Sequence, residues 1–285
     1  LYELDQLAKR LGHPLQERLE RLEKHRDRLN DRDDLRLEWV TLLNSVGRSE
    51  EALEALLSYE WRPWEGGEGK APAQYEAALT AMANARLADE RPAEALELIE
   101  QASEWPDCLG EGKLWPTPDC RIVYLKGVAL AACNRNEDAK QAFAEAASGR
   151  AELGDPAYYN DLPPDTVFYQ GLSLHAAGQG DEAVERFNSL VEYGQSHIDD
   201  EIVVDFFAVS LPDFLVFDDD LNERNRQHCL YVMALGKLGL AIAGKAEFEA
   251  AEQLLDQLLA AAPDHLGALT HRRLIGPTGA LHQTA

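Results

Sequence analysis

Two glycine-rich segments, Gly67–Lys70 and Gly110–Lys113, place a lysine directly after a glycine, as phosphate-binding loops do, and both read Gly-Glu-Gly-Lys. A Walker loop also needs a glycine five residues before its Gly-Lys pair, and a serine or threonine after the pair to hold magnesium. Neither segment meets these requirements, since the residues at the two positions are Trp64 and Ala71 in the first segment and Asp107 and Leu114 in the second. The sequence therefore predicts no nucleotide site and no cofactor.

Side chains that could bind a metal or catalyse a reaction do not occur at the required spacings. The acidic residues at 199–200 and 218–220 lack the alternating pattern of an EF-hand loop. Four potential zinc ligands match no common ligand pattern, namely His228, Cys229, His265 and His271. Asp220 is predicted instead to cap the helix that follows it. We predict no metal site, no catalytic residue and no enzymatic activity of this chain by itself, and the activity of a longer protein that contains it stays open.

The composition argues against two classes of partner. The 285 residues include 51 acidic and 27 basic side chains, a formal charge of −24, so the chain repels nucleic-acid phosphates and anionic lipid surfaces. No apolar run reaches the roughly 18 to 20 residues that span a membrane. The cysteines form no Cys-x-x-Cys pair, which favours free thiols in a reducing compartment. A cytoplasmic location is therefore expected.

Two segments with helical periodicity repeat the same residue types at the same offsets. They begin at Tyr124 (YLKGVALAACNRNEDAKQAFAEAA) and at Tyr169 (YQGLSLHAAGQGDEAVERFNSLV). Each contains a glycine, an alanine twelve residues later and a phenylalanine four residues after that, which are Gly127, Ala139 and Phe143 in the first and Gly171, Ala183 and Phe187 in the second. Small residues facing a large ring indicate two antiparallel helices in close contact.

These offsets resemble the tetratricopeptide repeat (TPR), which has small residues at its eighth and twentieth positions and an aromatic residue at its twenty-fourth. Further copies are centred on Ala52, Ala95 and Ala251. The five repeat alanines lie 43, 44, 44 and 68 residues apart, whereas the usual TPR period is 34. The longer spacing indicates an insert between successive helix pairs.

The resemblance implies an all-α, TPR-like α-solenoid of about six helix pairs. A single domain is expected over residues 1–275, with a flexible tail at 276–285. The inserts are expected near 58–73, 104–118, 149–165 and 194–222. The last of these is either a degenerate helix pair or a large insertion.

Because each insert occurs at the same point of its repeat, the inserts are predicted to lie along one edge of the solenoid. They contain aromatic and charged side chains: Trp61, Trp64, Glu68, Lys70, Trp105, Glu111, Lys113, Trp115, Tyr158 and Tyr159. One interpretation is that the rings pack onto helix ends and order the inserts. The other is that they form a row of aromatic platforms for a sugar or a partner peptide.

The concave face of a TPR solenoid is lined by the first helix of each pair. On this face the sequence predicts an amphipathic set of side chains that includes Asn84, Arg121, Tyr124, Phe168 and His175. Such a mixture suits a peptide or a helix, and it contains no strongly basic clamp for acidic C-termini. A protein or peptide partner is therefore expected, bound through the concave face and the aromatic edge.

Three longer segments are more specific than the repeat spacing: RPWEGGEGK from Arg62, FFAVSLPDFLVFDDDLNERNRQHCLYVMALGKLGL from Phe206, and PDHLGA from Pro263. They resemble the C-terminal region of a family of large bacterial proteins in which a mutarotase-like, β-rich N-terminal region precedes TPR repeats. The resemblance implies that this chain is part of a longer protein, whose N-terminal domain is itself a candidate partner.

Two alternative functions follow from the resemblance and from the inserts. The chain could be an accessory region of a carbohydrate-related enzyme and bind a glycan, or it could serve as an oligomerisation element. The resemblance supplies no catalytic residue, and the oligomeric state stays open.

Overall fold

The structure is a computed structural model that describes residues 1–64, 66–113, 119–153, 163–202 and 220–275. These residues form α-helices and two short 3₁₀ turns, with no β-strand among them. In chain order the helices are α1 (Tyr2–Arg10), α2 (Leu15–Glu23), α3 (Asp33–Ser45), α4 (Ser49–Leu57), α5 (Lys70–Ala88), α6 (Pro92–Ala102), α7 (Cys120–Ala132), α8 (Asn136–Ala146), α9 (Pro164–Ala176), α10 (Gly180–His197), α11 (Leu221–Ile242), α12 (Phe248–Ala261) and α13 (Leu266–Ile275).

Successive helices form antiparallel pairs through a turn of constant construction. Two residues after the first helix of each pair, the chain has a left-handed backbone. The next amide donates to the carbonyl five residues before it, as Arg48 does to Leu43 at 2.8 Å. This arrangement is the Schellman motif, which satisfies carbonyls at a helix end. It recurs at Gly12, Gly47, Glu90, Asn134, Gly178 and Gly244. Within the described residues, these turns define six helix pairs, from α1–α2 to α11–α12, and α13 comes after the last of them.

Small residues at the predicted repeat positions bring neighbouring helices close together. The repeat alanines are buried: Ala52, Ala95, Ala139, Ala183 and Ala251. The Phe187 ring of α10 fills the space that a side chain would need at Gly171 of α9 or at Gly239 of α11. Phe143 of α8 does the same beside Gly127 of α7, where a Cβ would lie 2.5 Å from the ring. The predicted all-α, TPR-like solenoid is confirmed.

Helices α10 and α11 pack directly against each other, although residues 203–219 between them lie outside the described residues. A Cβ at Gly194 would lie 2.7 Å from the Cys229 carbonyl oxygen, and one at Gly236 would lie 2.6 Å from that of Phe187. As predicted, Asp220 caps α11 by accepting from two backbone amides of its first turn at 3.1 Å. Residues 194–197 and 221–222 of the predicted insert belong to α10 and α11. Because α10 and α11 pack directly, α11 is the first helix of the next pair, and we propose that the residues between them are an insertion.

The two ends of the described chain meet and close the superhelix. Asp264, between α12 and α13, pairs with Lys9 at 2.9 Å and with Arg18 at 3.2 Å. Arg18 is only 1% exposed and also pairs with Asp5 at 2.8 Å and with Glu38. Removing a guanidinium from water costs several kcal/mol, which such partners offset. The buried network therefore joins α1, α2 and α3 to the start of α13.

The contact at Phe187 predicts a stability difference between two glycine variants. Gly239→Ala should destabilise the protein by roughly 1–3 kcal/mol, because its methyl group would overlap the Phe187 ring. The matched control is Gly180→Ala at the start of α10, where nothing lies within 4 Å of the added carbon. This control should be neutral, or stabilising by up to about 1 kcal/mol. Urea unfolding followed by circular dichroism measures both, and equal stabilities would contradict the assigned packing.

Candidate protein-binding surface

The described parts of the inserts that follow α4 and α6 pack against each other. The Trp61 amide donates to the Cys108 carbonyl at 2.8 Å, and the Gly69 amide donates to the Glu111 carboxylate at 2.8 Å. Gly110 lies so close to the first insert that a Cβ would overlap the Trp61 carbonyl oxygen, and its φ of 75° is in the left-handed region. The two Gly-Glu-Gly-Lys segments are thus neighbours, held together largely by backbone groups.

Two tryptophans of the first insert contribute to its packing. Trp61 is 4% exposed, and its indole N–H donates to the Leu56 carbonyl at 3.0 Å. The Trp64 ring covers Gly67, where a Cβ would overlap the indole, and it is half-buried. A buried ring offers no face to a ligand, so Trp61 is left out of the proposed site, whereas Trp64 keeps an accessible side.

Trp105 and Lys113 of the second insert contact Glu76 of α5. The Trp105 indole N–H donates to the Glu76 carboxylate at 2.9 Å, and the Lys113 ammonium lies 3.7 Å from the same oxygen. Lys113 also pairs with Asp119 at 2.8 Å. Burial raises the pKa of Glu76 and outweighs the opposing influence of Trp105 and the nearby cations. These contacts hold the second insert against the first helix of the preceding pair.

Arg121 and Asp165 extend this group of side chains to two more helices. Arg121, the second residue of α7, lies 3.8 Å from Glu76 and 4.0 Å from Asp165 of α9. Both distances exceed a hydrogen bond, and 24% of the Arg121 side chain is exposed. We call Glu76, Trp105, Lys113, Arg121 and Asp165 the polar cleft. It joins α5, the second insert, α7 and α9.

Two residues predicted for an open concave face are buried more deeply than expected. The Tyr124 ring lies 5.9 Å from that of Phe143 and 5.6 Å from that of Tyr169, and burial raises the pKa of Tyr124 to about 12. Phe168 is fully buried, with its ring edge-to-face against His271 at 5.3 Å. The prediction that Phe168 faces an open groove is wrong, because α13 covers it.

His271 fixes α13 on the inner face between α9 and α11. Its Nδ1 lies 2.7 Å from the Gly267 carbonyl oxygen and 3.1 Å from the Tyr231 hydroxyl, and its Nε2 lies 3.2 Å from the Tyr169 hydroxyl. Since a carbonyl only accepts, Nδ1 carries the proton, and Nε2 accepts from Tyr169. The neutral imidazole therefore has a hydrogen-bond partner at each nitrogen.

Arg273 joins α13 to the first part of the chain. Its guanidinium donates to the Asn44 carbonyl at 3.3 Å and to the Ser45 carbonyl, both at the C-terminal end of α3. The last carbonyls of a helix lack intrahelical partners and favour a cation. Part of the concave face is therefore filled by a helix of the same chain, which the sequence analysis did not predict.

The other predicted site residues do not converge on one point. His175 is exposed near the C-terminal end of α9, and Asn84 is half-buried on α5. Glu68 is exposed in the first insert, and Lys70 is exposed at the start of α5. Trp115, Tyr158 and Tyr159 lie outside the described residues, so their roles stay predictions.

Sequence reasoning missed several residues that the structure brings together: Glu76, Asp165, Tyr169, Tyr231 and His271. Phe168, and not Tyr169, matches Tyr124 in its distance from the repeat glycine. Adjacent helical residues do not share a face, so the repeat pattern did not mark Tyr169. Contacts of His271 with α9 depend on the curvature of the whole superhelix. Local periodicity carries no information on that curvature.

Within the described ranges, no group of three or more His, Cys, Asp or Glu side chains is arranged to hold a metal ion. Among the helices that the structure describes, none combines the length and the apolar character needed to span a bilayer.

No family model matches the chain. A solved structure described as "YrrB: a TPR protein with an unusual peptide-binding site" is similar to it, with 18% identity over 88% of this chain and 96% of that chain and a TM-score of 0.30. A likeness this distant carries no argument about function. The assignment to a TPR-like solenoid rests on the recurring turns, the buried alanines and the glycine–phenylalanine contacts.

The packed inserts predict that Gly110→Ala is harmful. Its left-handed backbone and the overlap with the Trp61 carbonyl should cost roughly 1–3 kcal/mol. Gly112→Ala is the matched control, since nothing lies within 4 Å of the added carbon, and it should change stability by less than about 0.5 kcal/mol. Thermal unfolding gives the stabilities, and tryptophan emission reports exposure of the inserts. If both variants behave like the wild type, the packed edge is contradicted.

His271 predicts a loss of stability in mild acid. Burial lowers the pKa of His271 from 6.5 to about 4, so between these values the unfolded chain binds a proton that the folded protein excludes. The free energy of unfolding should therefore fall as the pH decreases from about 6.5 to about 4.

In His271→Gln this proton uptake is absent. The free energy of unfolding, measured with urea at a series of pH values, should therefore depend less on pH than in the wild type. Burial also lowers the pKa of His265, so some slope should persist. Identical slopes for the variant and the wild type would show that His271 is not excluded from protonation.

Proposed function

We propose that this chain is a protein-interaction module that binds a peptide or protein partner. Binding would use the polar cleft on the inner face and the adjoining edge of packed inserts. The cleft is the observation that carries the proposal, because charged side chains from α5, α7, α9 and the second insert meet there, partly exposed and outside the apolar core. A partner domain in the same polypeptide would use the same surface.

The chemistry of the cleft suits a peptide. Arg121 and its two carboxylate neighbours are separated by more than hydrogen-bond distance, so a partner carbonyl or carboxylate at about 3 Å would make stronger, charge-assisted hydrogen bonds. Glu76, held by Trp105, lies opposite and can accept from a partner amide. A peptide backbone both donates and accepts, and therefore matches a cleft that does both.

The charge of the whole chain favours a basic partner. At −24 the chain attracts cationic segments and speeds their association at low ionic strength. The partly accessible Trp64 ring of the first insert adds an aromatic group of the kind enriched in protein interfaces. Burial of Trp61 removes one of the rings on which a glycan-binding edge would depend.

Peptides selected from a random display library on the immobilised chain test this function. Arg121→Ala should weaken the binding of selected peptides by roughly tenfold, which is within the range of a lost charge-assisted hydrogen bond. Lys140→Ala is the control, because Lys140 is exposed on α8 and pairs with Glu137 at 2.8 Å. It should change affinity by less than about twofold. Fluorescence anisotropy measures both, and equal binding to the wild type and to Arg121→Ala would contradict the proposed site.

A further inference from the structure

We propose that α13 occupies the place of a partner helix on the inner face, and that a short basic helix of the partner binds there by displacing it. This inference rests on the proposed function and specifies the partner more closely. The sequence of α13, LGALTHRRLI, contains two arginines and a histidine and no acidic residue. It is thus a cationic segment held by a strongly acidic chain.

Helix α13 covers the last helix pair, as a terminal helix does, and it also lies along the inner face, where a bound partner would lie. A terminal helix needs only to cover the last repeat. Helix α13, however, contacts the first helix of three different pairs. Gly267 lies against Tyr231 of α11, where a Cβ would be 2.6 Å from the ring. Four residues later, His271 contacts Tyr169 of α9. Two residues beyond it, Arg273 donates to the end of α3.

The anchors of α13 are few, and they are both apolar and polar. Its buried residues are Ala268, His271 and Ile275, whereas its leucines keep partial exposure. An isolated helix of about ten residues is marginal in water, so the order of α13 depends on the surface that holds it. Elements with little buried apolar surface open at low free-energy cost. Displacement of α13 therefore leaves the other helix pairs intact.

The site defines what a replacement helix must carry. The close approach of Tyr231 requires a small residue, as at Gly267. Four residues after this small residue, the replacement helix needs a neutral side chain that can hydrogen-bond to both the Tyr169 and the Tyr231 hydroxyl, as His271 does. The Asn44 and Ser45 carbonyls at the end of α3, which accept from Arg273, require a cation two residues beyond. A basic helix with these three features fits in place of α13.

A synthetic peptide of residues 264–275, labelled with fluorescein, is the probe, and the full chain is the receptor. In the wild type, α13 competes as a tethered ligand at an effective concentration of order mM. The double variant His271→Ala/Arg273→Ala weakens α13 but keeps Tyr169, Tyr231 and the α3 carbonyls. The peptide should bind this variant at least tenfold more tightly than it binds the wild type, measured by fluorescence anisotropy.

Two altered peptides make the test specific. Replacing the arginine that corresponds to Arg273 by glutamine should weaken binding to the double variant by roughly tenfold. Replacing the one that corresponds to Arg272 should weaken it by less than about threefold, because Arg272 forms partly exposed pairs with Glu252 and Asp256 of α12. Equal losses would overturn the assigned contacts.

Failure of the peptide to bind a double variant with wild-type helix content overturns the inference and makes α13 a permanent part of the fold. The proposed function would still stand, since Arg121→Ala tests it separately.

If the double variant does not fold, hydrogen exchange on the wild type shows whether α13 opens and is displaced by the peptide. Amides of α13 should exchange at least tenfold faster than those of α11, through local opening. Excess unlabelled peptide should accelerate them further, which fraying alone does not do. Protection of α13 equal to that of α11, unchanged by the peptide, overturns the inference.

Discussion

The close approach of helices at glycine, with an aromatic ring beside it, sets the spacing on which this superhelix depends. Phe187 makes two such contacts, because its ring lies against Gly171 of α9 and Gly239 of α11. Glycine lets helix axes approach more closely than larger residues do, and small rotations between successive pairs add up to the curvature of a solenoid. The curvature brings α13 back over the inner face, where it meets α3 and α9.

Where the two ends of the described chain meet, charged side chains are removed from water, and nearby groups of opposite charge or hydrogen-bond acceptors offset the cost. Arg18 lies among Asp5, Glu38 and Asp264, which come from both ends of the chain. Removing one partner of such a network leaves a buried charge unpaired, at a cost of several kcal/mol. The Arg273 guanidinium also has acceptors, because it donates to two carbonyls at the end of α3. The closed form is therefore held by polar groups with specific partners, together with the apolar contacts of Ala268 and Ile275.

Local spacing predicted the helix pairs because each pair is built from contacts within about forty residues. The positions of Ala139, Ala183 and Phe187 follow directly from the repeat, as does the stacking of the two Gly-Glu-Gly-Lys segments. The burial of Phe168 and the placement of His271 depend on curvature summed over several pairs, which no local pattern encodes. The concave face was for this reason predicted to be open, although the chain closes over part of it.

The two ends of the described chain meet where Asp264 pairs with Lys9 and Arg18. Carbodiimide coupling followed by mass spectrometry tests this contact directly, because the Lys9 ammonium and the Asp264 carboxylate lie 2.9 Å apart. The closed superhelix predicts an intramolecular Lys9–Asp264 cross-link in the monomer, together with the local Lys140–Glu137 cross-link, whose atoms lie 2.8 Å apart. Formation of the local cross-link without the Lys9–Asp264 cross-link would contradict closure.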